Sequence, residues 1–180
     1  MTTICNDPAE FTDEAVEGFV DLYPRYVRRV MGGVVRAHRP ARPKVAVLVG
    51  GGSGHYPAFA GVAGPGFAVG SMIGNIFTSP STARAYSVGR AANSGAGVIH
   101  TYGNYAGDVM TSGSPGPVEG RGDRRTSGHR HRRHRKRRAH DRDNRRGIAG
   151  DFVVFKVMGP RPNVATTSTR WSASATTQTS

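Results

Sequence analysis

Cysteine is almost absent from this chain, since Cys5 is the only one among its 180 residues. A single thiol excludes an intramolecular disulfide and any zinc site built from cysteines. Long apolar runs are also missing, because none approaches the roughly 18 residues that cross a bilayer. Residues 1–10 contain acids and lack the apolar stretch of a secretory signal. These absences predict a cytoplasmic protein without a membrane segment.

Acidic residues are scarce, with 12 Asp and Glu against 25 Lys and Arg and a net charge of +13. The excess is local, because the segment from Gly120 to Arg146 holds thirteen bases and three acids, a balance of +10. The rest of the chain carries only +3. The overall basicity therefore describes one segment and does not by itself indicate a nucleic-acid binder.

This basic segment has almost no large apolar residue, so we expect it to be disordered. Its dense positive charge leaves polyanion binding open as an alternative function, which would be salt-dependent and lost on deleting residues 120–146. Aromatic residues and a reading motif are missing, so we expect no specific nucleic-acid partner. We also expect no metal site, because no carboxylate or thiolate spacing complements the four histidines His129, His131, His134 and His140.

The first predicted element is an amphipathic helix. Asp7 can cap it, Pro8 suits its first position, and apolar side chains recur at helical spacing until Pro24. The residues from Val34 to Pro43 show no period, so we expect an irregular segment there.

Two apolar runs, Lys44–Val49 and Gly97–Tyr102, predict strands buried on both faces, and Ser81–Asn93 predicts a helix between them. Each predicted strand is followed by a glycine-rich loop. This order indicates an α/β fold with a mostly parallel sheet and flanking helices, in which ligands bind at the carboxyl ends of the strands. The segment Gly147–Gly159 predicts a further strand or a buried helix.

The first loop, from Gly50 to His55, can turn tightly and present N–H groups to an anion or a polyhydroxy ligand. No Gly-Lys-Ser/Thr follows at the spacing of a P-loop, and the last glycine of the dinucleotide fingerprint would fall on His55 or Pro57. A nucleotide site is therefore poorly supported. His55 can either contact a ligand or serve the turn. Asp108, in the loop that follows Gly97–Tyr102, can either act as a general base or cap a helix.

Three motifs lie in order along the chain, Gly50–Ala58, Gly74–Ser81 and Gly103–Met110. Together with Arg145–Phe152 they resemble the substrate-binding, N-terminal domain of the dihydroxyacetone kinase family. The stretch from His100 to Asp108 is most similar to the actinobacterial erythrulose kinase branch of that family. The resemblance covers about Thr3–Met110 and Arg145–Gly159, so we expect part of a kinase substrate domain.

The resemblance implies a set of site residues. The first loop would hold a small hydroxyketone, dihydroxyacetone or erythrulose, through Gly52, Ser53, Gly54 and His55, with His55 assisting proton transfer. Asp108 would take the proton from the hydroxyl that attacks the γ-phosphorus of ATP. Many members carry a lysine at the substrate-binding position that is Gly103 here.

The resemblance also implies cofactors and partners. ATP and magnesium would be bound by a helical nucleotide-binding domain or subunit, of which the chain shows no trace, and a homodimer is compatible with the family. A second histidine that bonds to the substrate carbonyl lies beyond the position of Gly159 in family members. We therefore expect negligible kinase activity from this chain alone, and a non-catalytic ketose-binding module is the alternative.

The family continues after Met110 with Asn-Phe-Gly-Leu-Ala, where this chain has Thr111–Pro115. If that stretch is encoded by the GC-rich codons ACT TCG GGC TCG CC, restoring one A after the methionine codon gives AAC TTC GGG CTC GCC, which reads as the family residues. We infer four segments: a substrate-domain part at 1–110, an out-of-frame basic insert at 111–144, a returning segment at 145–159, and a disordered tail at 160–180.

The frame hypothesis predicts the gene's nucleotide sequence. We expect sequencing to show a frame change just after codon 110, a return near codon 145 and a second departure near codon 159. An intact frame whose shifted reading gives no family residues would exclude it.

Overall fold

A computed structural model of the chain describes residues 6–102, 107–108, 127–128 and 150–158. These residues form one sheet with helices on both of its faces. The strands are β1 (Val27–Val30), β2 (Gly33–Arg36), β3 (Ala46–Gly52), β4 (Gly70–Gly74), β5 (Val98–Tyr102) and β6 (Ser127–Gly128). The helices are α1 (Phe11–Leu22), α2 (Thr82–Ala92) and α3 (Gly150–Met158), and two short 3₁₀ turns lie at Ser53–His55 and Ala60–Val62.

The strand order is β1-β2-β4-β3-β5-β6. Strand β3 lies at the centre and runs parallel to both of its neighbours, β4 and β5, and β5 is parallel to β6. The pairs β1–β2 and β2–β4 are antiparallel. The predicted α/β fold with a mostly parallel sheet and flanking helices is therefore confirmed, with an antiparallel hairpin added at one edge.

Two layers of apolar side chains cover the sheet. Helix α2 covers one face, where the buried cluster is Val35, Ala46, Leu48, Val69, Met72, Val88, Ala92 and Val98. Helix α1, the turn at Ala60–Val62 and α3 cover the other face, whose clusters include Phe19, Val34, Ile73, Val49 and Phe155. The alternation of β3 side chains between these layers explains its unbroken apolar sequence, because both of its faces are buried.

The first helix begins later than the sequence predicts. Asp7 forms a turn, in which its carboxylate accepts a hydrogen bond from the Ala9 amide at 2.8 Å and its carbonyl accepts one from Glu10 at 3.0 Å. Helix α1 starts at Phe11, with Glu10 at the cap and no side-chain cap hydrogen bond. The prediction of Asp7 as the helix cap was thus wrong, while the end of the helix just before Pro24 is confirmed.

The hairpin is the main element that the sequence did not predict. Val34 and the two residues after it, expected to be irregular, form β2 and pair with β1 across a tight turn at Met31 and Gly32. Gly32 has a φ of 85°, a conformation that glycine adopts without steric cost. Strand β4 was also missed, since its Gly-Ser-Met-Ile-Gly sequence carries few β-branched residues.

The returning segment is a helix and not a strand, but the predicted burial holds only in part, because Phe152 and Val153 are more than half exposed. Phe155 of α3 is buried against Val49, Val62 and Ala68, so this segment packs on the sheet formed by the N-terminal part. Ser127 and Gly128, inside the segment expected to be disordered, pair with β5 and therefore depart from that expectation. The rest of the basic insert and the tail after Met158 lie outside the described residues.

The chain's two leucines provide a matched stability test. Leu48 is fully buried at the centre of the sheet, whereas Leu22, at the end of α1, is 70% exposed. We expect Leu48→Ala to lower the free energy of unfolding by about 2–5 kcal/mol, because it leaves a cavity. The control Leu22→Ala should stay within about 0.5 kcal/mol. Urea denaturation measures both, and equal effects would contradict this core.

Candidate functional site

The candidate site lies at the carboxyl ends of β3, β4 and β5. The registers place Gly52 beside Gly74 and Gly50 beside Tyr102, so the carboxyl ends of these three neighbouring strands lie side by side. The loops that follow are the three motifs that the sequence singles out. In parallel sheets, ligands bind at the carboxyl ends of the strands.

The first two loops approach each other at backbone distance. A Cβ on Gly52 would lie 2.5 Å from the Ile76 carbonyl oxygen, and one on Gly54 would lie 2.7 Å from the same atom. The Gly54 amide donates a hydrogen bond to this oxygen at 2.7 Å. These two glycines therefore serve loop packing, and the Gly54 N–H that the sequence offers to a ligand is used inside the protein.

His55 ends the 3₁₀ turn and is exposed to solvent. Its imidazole meets two aromatic rings edge-on, Phe59 at 5.7 Å between ring centroids and Phe77 at 6.2 Å. Such T-shaped contacts restrict the orientation of the ring. Its exposure is compatible with both predicted roles of His55, ligand contact and a structural role in the turn.

A hydrogen-bonded group connects α1 to both loops. The Thr12 hydroxyl lies 3.2 Å from the Ser53 hydroxyl and donates to the Asn75 side-chain oxygen at 3.1 Å. That oxygen also accepts a bond from the Ile76 amide at 2.8 Å. Sequence reasoning missed Thr12 as a site residue, because 41 residues separate it from Ser53 and no local pattern links them.

Asp108 is buried, at 8% exposure, in helical backbone that follows the β5 loop. Gly103, the other predicted residue of this loop, lies outside the described residues. The described residues of the predicted set thus lie at the ends of adjacent strands: Gly52 ends β3, Ser53, Gly54 and His55 follow it, and Asp108 follows β5.

An apolar cleft of about 30 Å³ lies behind the first loop. It is lined by Ala15, Val16 and Phe19 of α1 and by Gly52, Ser53, Tyr56, Pro57, Phe59, Ala60 and Ile73. This volume accommodates only one or two waters and is too small for a ketose. His55 does not line this cleft and is exposed to solvent.

The described residues contain no group of three His, Cys, Asp or Glu side chains arranged to hold a metal ion. No helix in the described part of the chain is both long enough and apolar enough to span a membrane.

The contact between the loops gives a second prediction. Gly52→Ala would force the Ile76 carbonyl away and should lower the free energy of unfolding by about 1–3 kcal/mol. Gly64→Ala is the matched control, because a Cβ there meets no atom within 4 Å and its φ is not positive. The midpoints of urea unfolding compare the two variants. Equal midpoints would show that the loops can separate without cost.

Comparisons with known proteins agree on one family. The Dak1 domain model matches residues 17–168. The chain is 51% identical over 166 residues to the D-erythrulose kinase of Mycolicibacterium smegmatis, covering 87% of this chain and 27% of that protein. It is 44% identical over 168 residues to the L-erythrulose kinase of Pectobacterium atrosepticum, covering 88% of this chain and 27% of that protein. The chain thus spans about a quarter of the length of these relatives.

Solved structures show the same fold. The dihydroxyacetone kinase of C. freundii, in complex with AMP-PNP and Mg²⁺, superposes with a TM-score of 0.74 at 23% identity, covering 96% of this chain and 33% of that one. The dihydroxyacetone kinase operon co-activator Dha-DhaQ gives 0.69 at 22% identity, covering 91% and 51%. From the matched domain and the sequence identities, the chain belongs to the Dak1 domain family, whose relatives include erythrulose and dihydroxyacetone kinases.

Proposed function

We propose that this chain forms part of the substrate site of a kinase that phosphorylates a small hydroxyketone, with erythrulose as the first candidate. The observation that carries the proposal is the 51% identity to a D-erythrulose kinase over a range that includes the two adjoining loops. Erythrulose is favoured over dihydroxyacetone because a relative named for dihydroxyacetone, the DhaK subunit 2 of Listeria innocua, is 36% identical.

The proposed chemistry assigns a role to each predicted residue. Gly52, Ser53 and Gly54 shape the wall against which the ketose rests, and exposed His55 hydrogen-bonds a substrate oxygen and assists its proton transfer. Asp108 accepts the proton of the attacking hydroxyl, and Gly103 leaves room where other members carry a lysine. Phosphoryl transfer then depends on positioning and on charge stabilisation at the phosphate.

In this proposal the phosphoryl donor is held outside the chain. A fold neighbour of this chain was solved with AMP-PNP and Mg²⁺, and other relatives are named dihydroxyacetone-binding subunits of kinases that depend on a phosphotransferase system or on phosphoenolpyruvate. ATP and magnesium bound by a separate nucleotide-binding domain or subunit fit the erythrulose kinases best. A cytoplasmic location follows from this choice of donor and is part of the proposal.

A ketose-binding module without catalysis is the second candidate. The same fold also occurs in a protein described as an operon co-activator, so the fold is compatible with binding alone. In both candidates the ketose occupies the same site, and they differ in whether a donor domain is engaged.

Ketose titrations test both candidates. We expect D- or L-erythrulose to raise the melting temperature of the purified chain, with no ADP formed from ATP and magnesium unless a nucleotide-binding domain is added. His55→Gln should weaken ketose binding about tenfold, because it removes an imidazole contact. His38→Gln is the matched control. His38 is exposed and follows β2, which ends beside the amino end of β4, opposite the candidate site.

The results separate the candidates cleanly. Sugar phosphate formed on adding a nucleotide-binding domain supports the kinase, and binding without turnover under those conditions supports the module. If none of D-erythrulose, L-erythrulose and dihydroxyacetone binds, or if both histidine variants weaken binding equally, the proposed site is overturned.

A further inference from the structure

Three polar side chains form a chain of hydrogen bonds behind the proposed ketose site. Thr12 is 4% exposed in the first turn of α1, Ser53 is half-buried in the first loop, and Asn75 is exposed in the second loop. The Thr12 hydroxyl lies between the other two, 3.2 Å from Ser53 and 3.1 Å from the Asn75 oxygen.

The direction of these hydrogen bonds is fixed by the backbone. The Asn75 side-chain oxygen accepts the Ile76 amide proton at 2.8 Å, which identifies it as the oxygen and not the amide nitrogen. Thr12 must therefore donate its single hydroxyl proton to Asn75. Since that proton is used, Thr12 can only accept from Ser53, and Ser53 is the donor in their contact.

The first turn of α1 is held in place independently of the loop. Asp13, next to Thr12, forms an ion pair with Arg84 of α2 at 3.2 Å. The same arginine donates to the Ile73 carbonyl of β4 at 3.3 Å. Thr12 is thus fixed relative to the end of β4, and so it can orient the Ser53 hydroxyl.

We propose that Thr12 is a positioning residue that directs the Ser53 proton into the protein, so that Ser53 presents only lone pairs to the ligand. This inference rests on the proposed function. A serine oxygen held in this way accepts a hydrogen bond from a substrate hydroxyl and cannot donate one to a carbonyl. The site would therefore select ketoses that carry a hydroxyl at this point over analogues that lack it.

The test compares dihydroxyacetone with hydroxyacetone, which lacks one of the two hydroxyls. We expect the wild-type chain to bind dihydroxyacetone about five- to tenfold more tightly. Thr12→Val, which keeps the side-chain volume and removes the hydroxyl, should lower this ratio, because the released Ser53 proton can then be donated to the carbonyl that both ligands carry. Thr12→Ser keeps the hydroxyl and should restore the wild-type ratio. An unchanged ratio in Thr12→Val, or its loss in Thr12→Ser, would overturn the proposal.

A second measurement needs no ligand. The melting temperatures of Thr12→Val, Ser53→Ala and the double variant test whether the two hydroxyls are coupled. We expect the double variant to melt close to the less stable single variant, whereas additive decreases would show that the hydrogen bond does not exist. If the wild-type chain binds no ketose, the proposed function fails, and the ligand-orienting role of Thr12 fails with it even where the melting data show coupling.

Discussion

The structure depends on the close approach of the loops that follow β3 and β4. Their backbones meet at Gly52 and Gly54 on one side and the Ile76 carbonyl on the other, where no side chain would fit. Because these strands are parallel neighbours, both loops begin at the same end of the sheet. The contact turns two flexible glycine-rich segments into one surface, and it brings His55 against the ring of Phe77 from the second loop.

This contact determines whether the N–H groups of the first loop are free to bind a ligand. A glycine-rich loop after a strand suggests free N–H groups for an anion, but the Gly54 N–H is bonded within the protein. The loop instead exposes His55 to solvent, while the half-buried Ser53 directs its hydroxyl to Thr12. Recognition by hydroxyl and imidazole groups suits a neutral, polyhydroxylated ketose better than a bare phosphate.

Much of the fold could be predicted from the sequence because the parallel strands are buried on both faces and carry continuous apolar runs, as in β3. The hairpin was missed because its strands are short and contain arginines, and β4 was missed because glycines occupy both of its ends. Within the candidate site, His55 was predicted from the glycine-rich loop and Ser53 from the family resemblance. Thr12 could not be, since its contact to Ser53 exists only after α1 packs on the sheet.

The fold alone does not determine whether this chain serves catalysis or binding, because the same sheet occurs in a kinase and in a co-activator. In the proposed function, the two differ in whether a nucleotide-binding domain is engaged. A binding protein needs hydroxyl and imidazole contacts, whereas a kinase also needs a group that accepts the proton of the attacking hydroxyl. Asp108 is buried in the segment after β5, the strand that neighbours β3. The proposed function assigns this step to Asp108, which is the role that would distinguish a kinase from a protein that only binds the ketose.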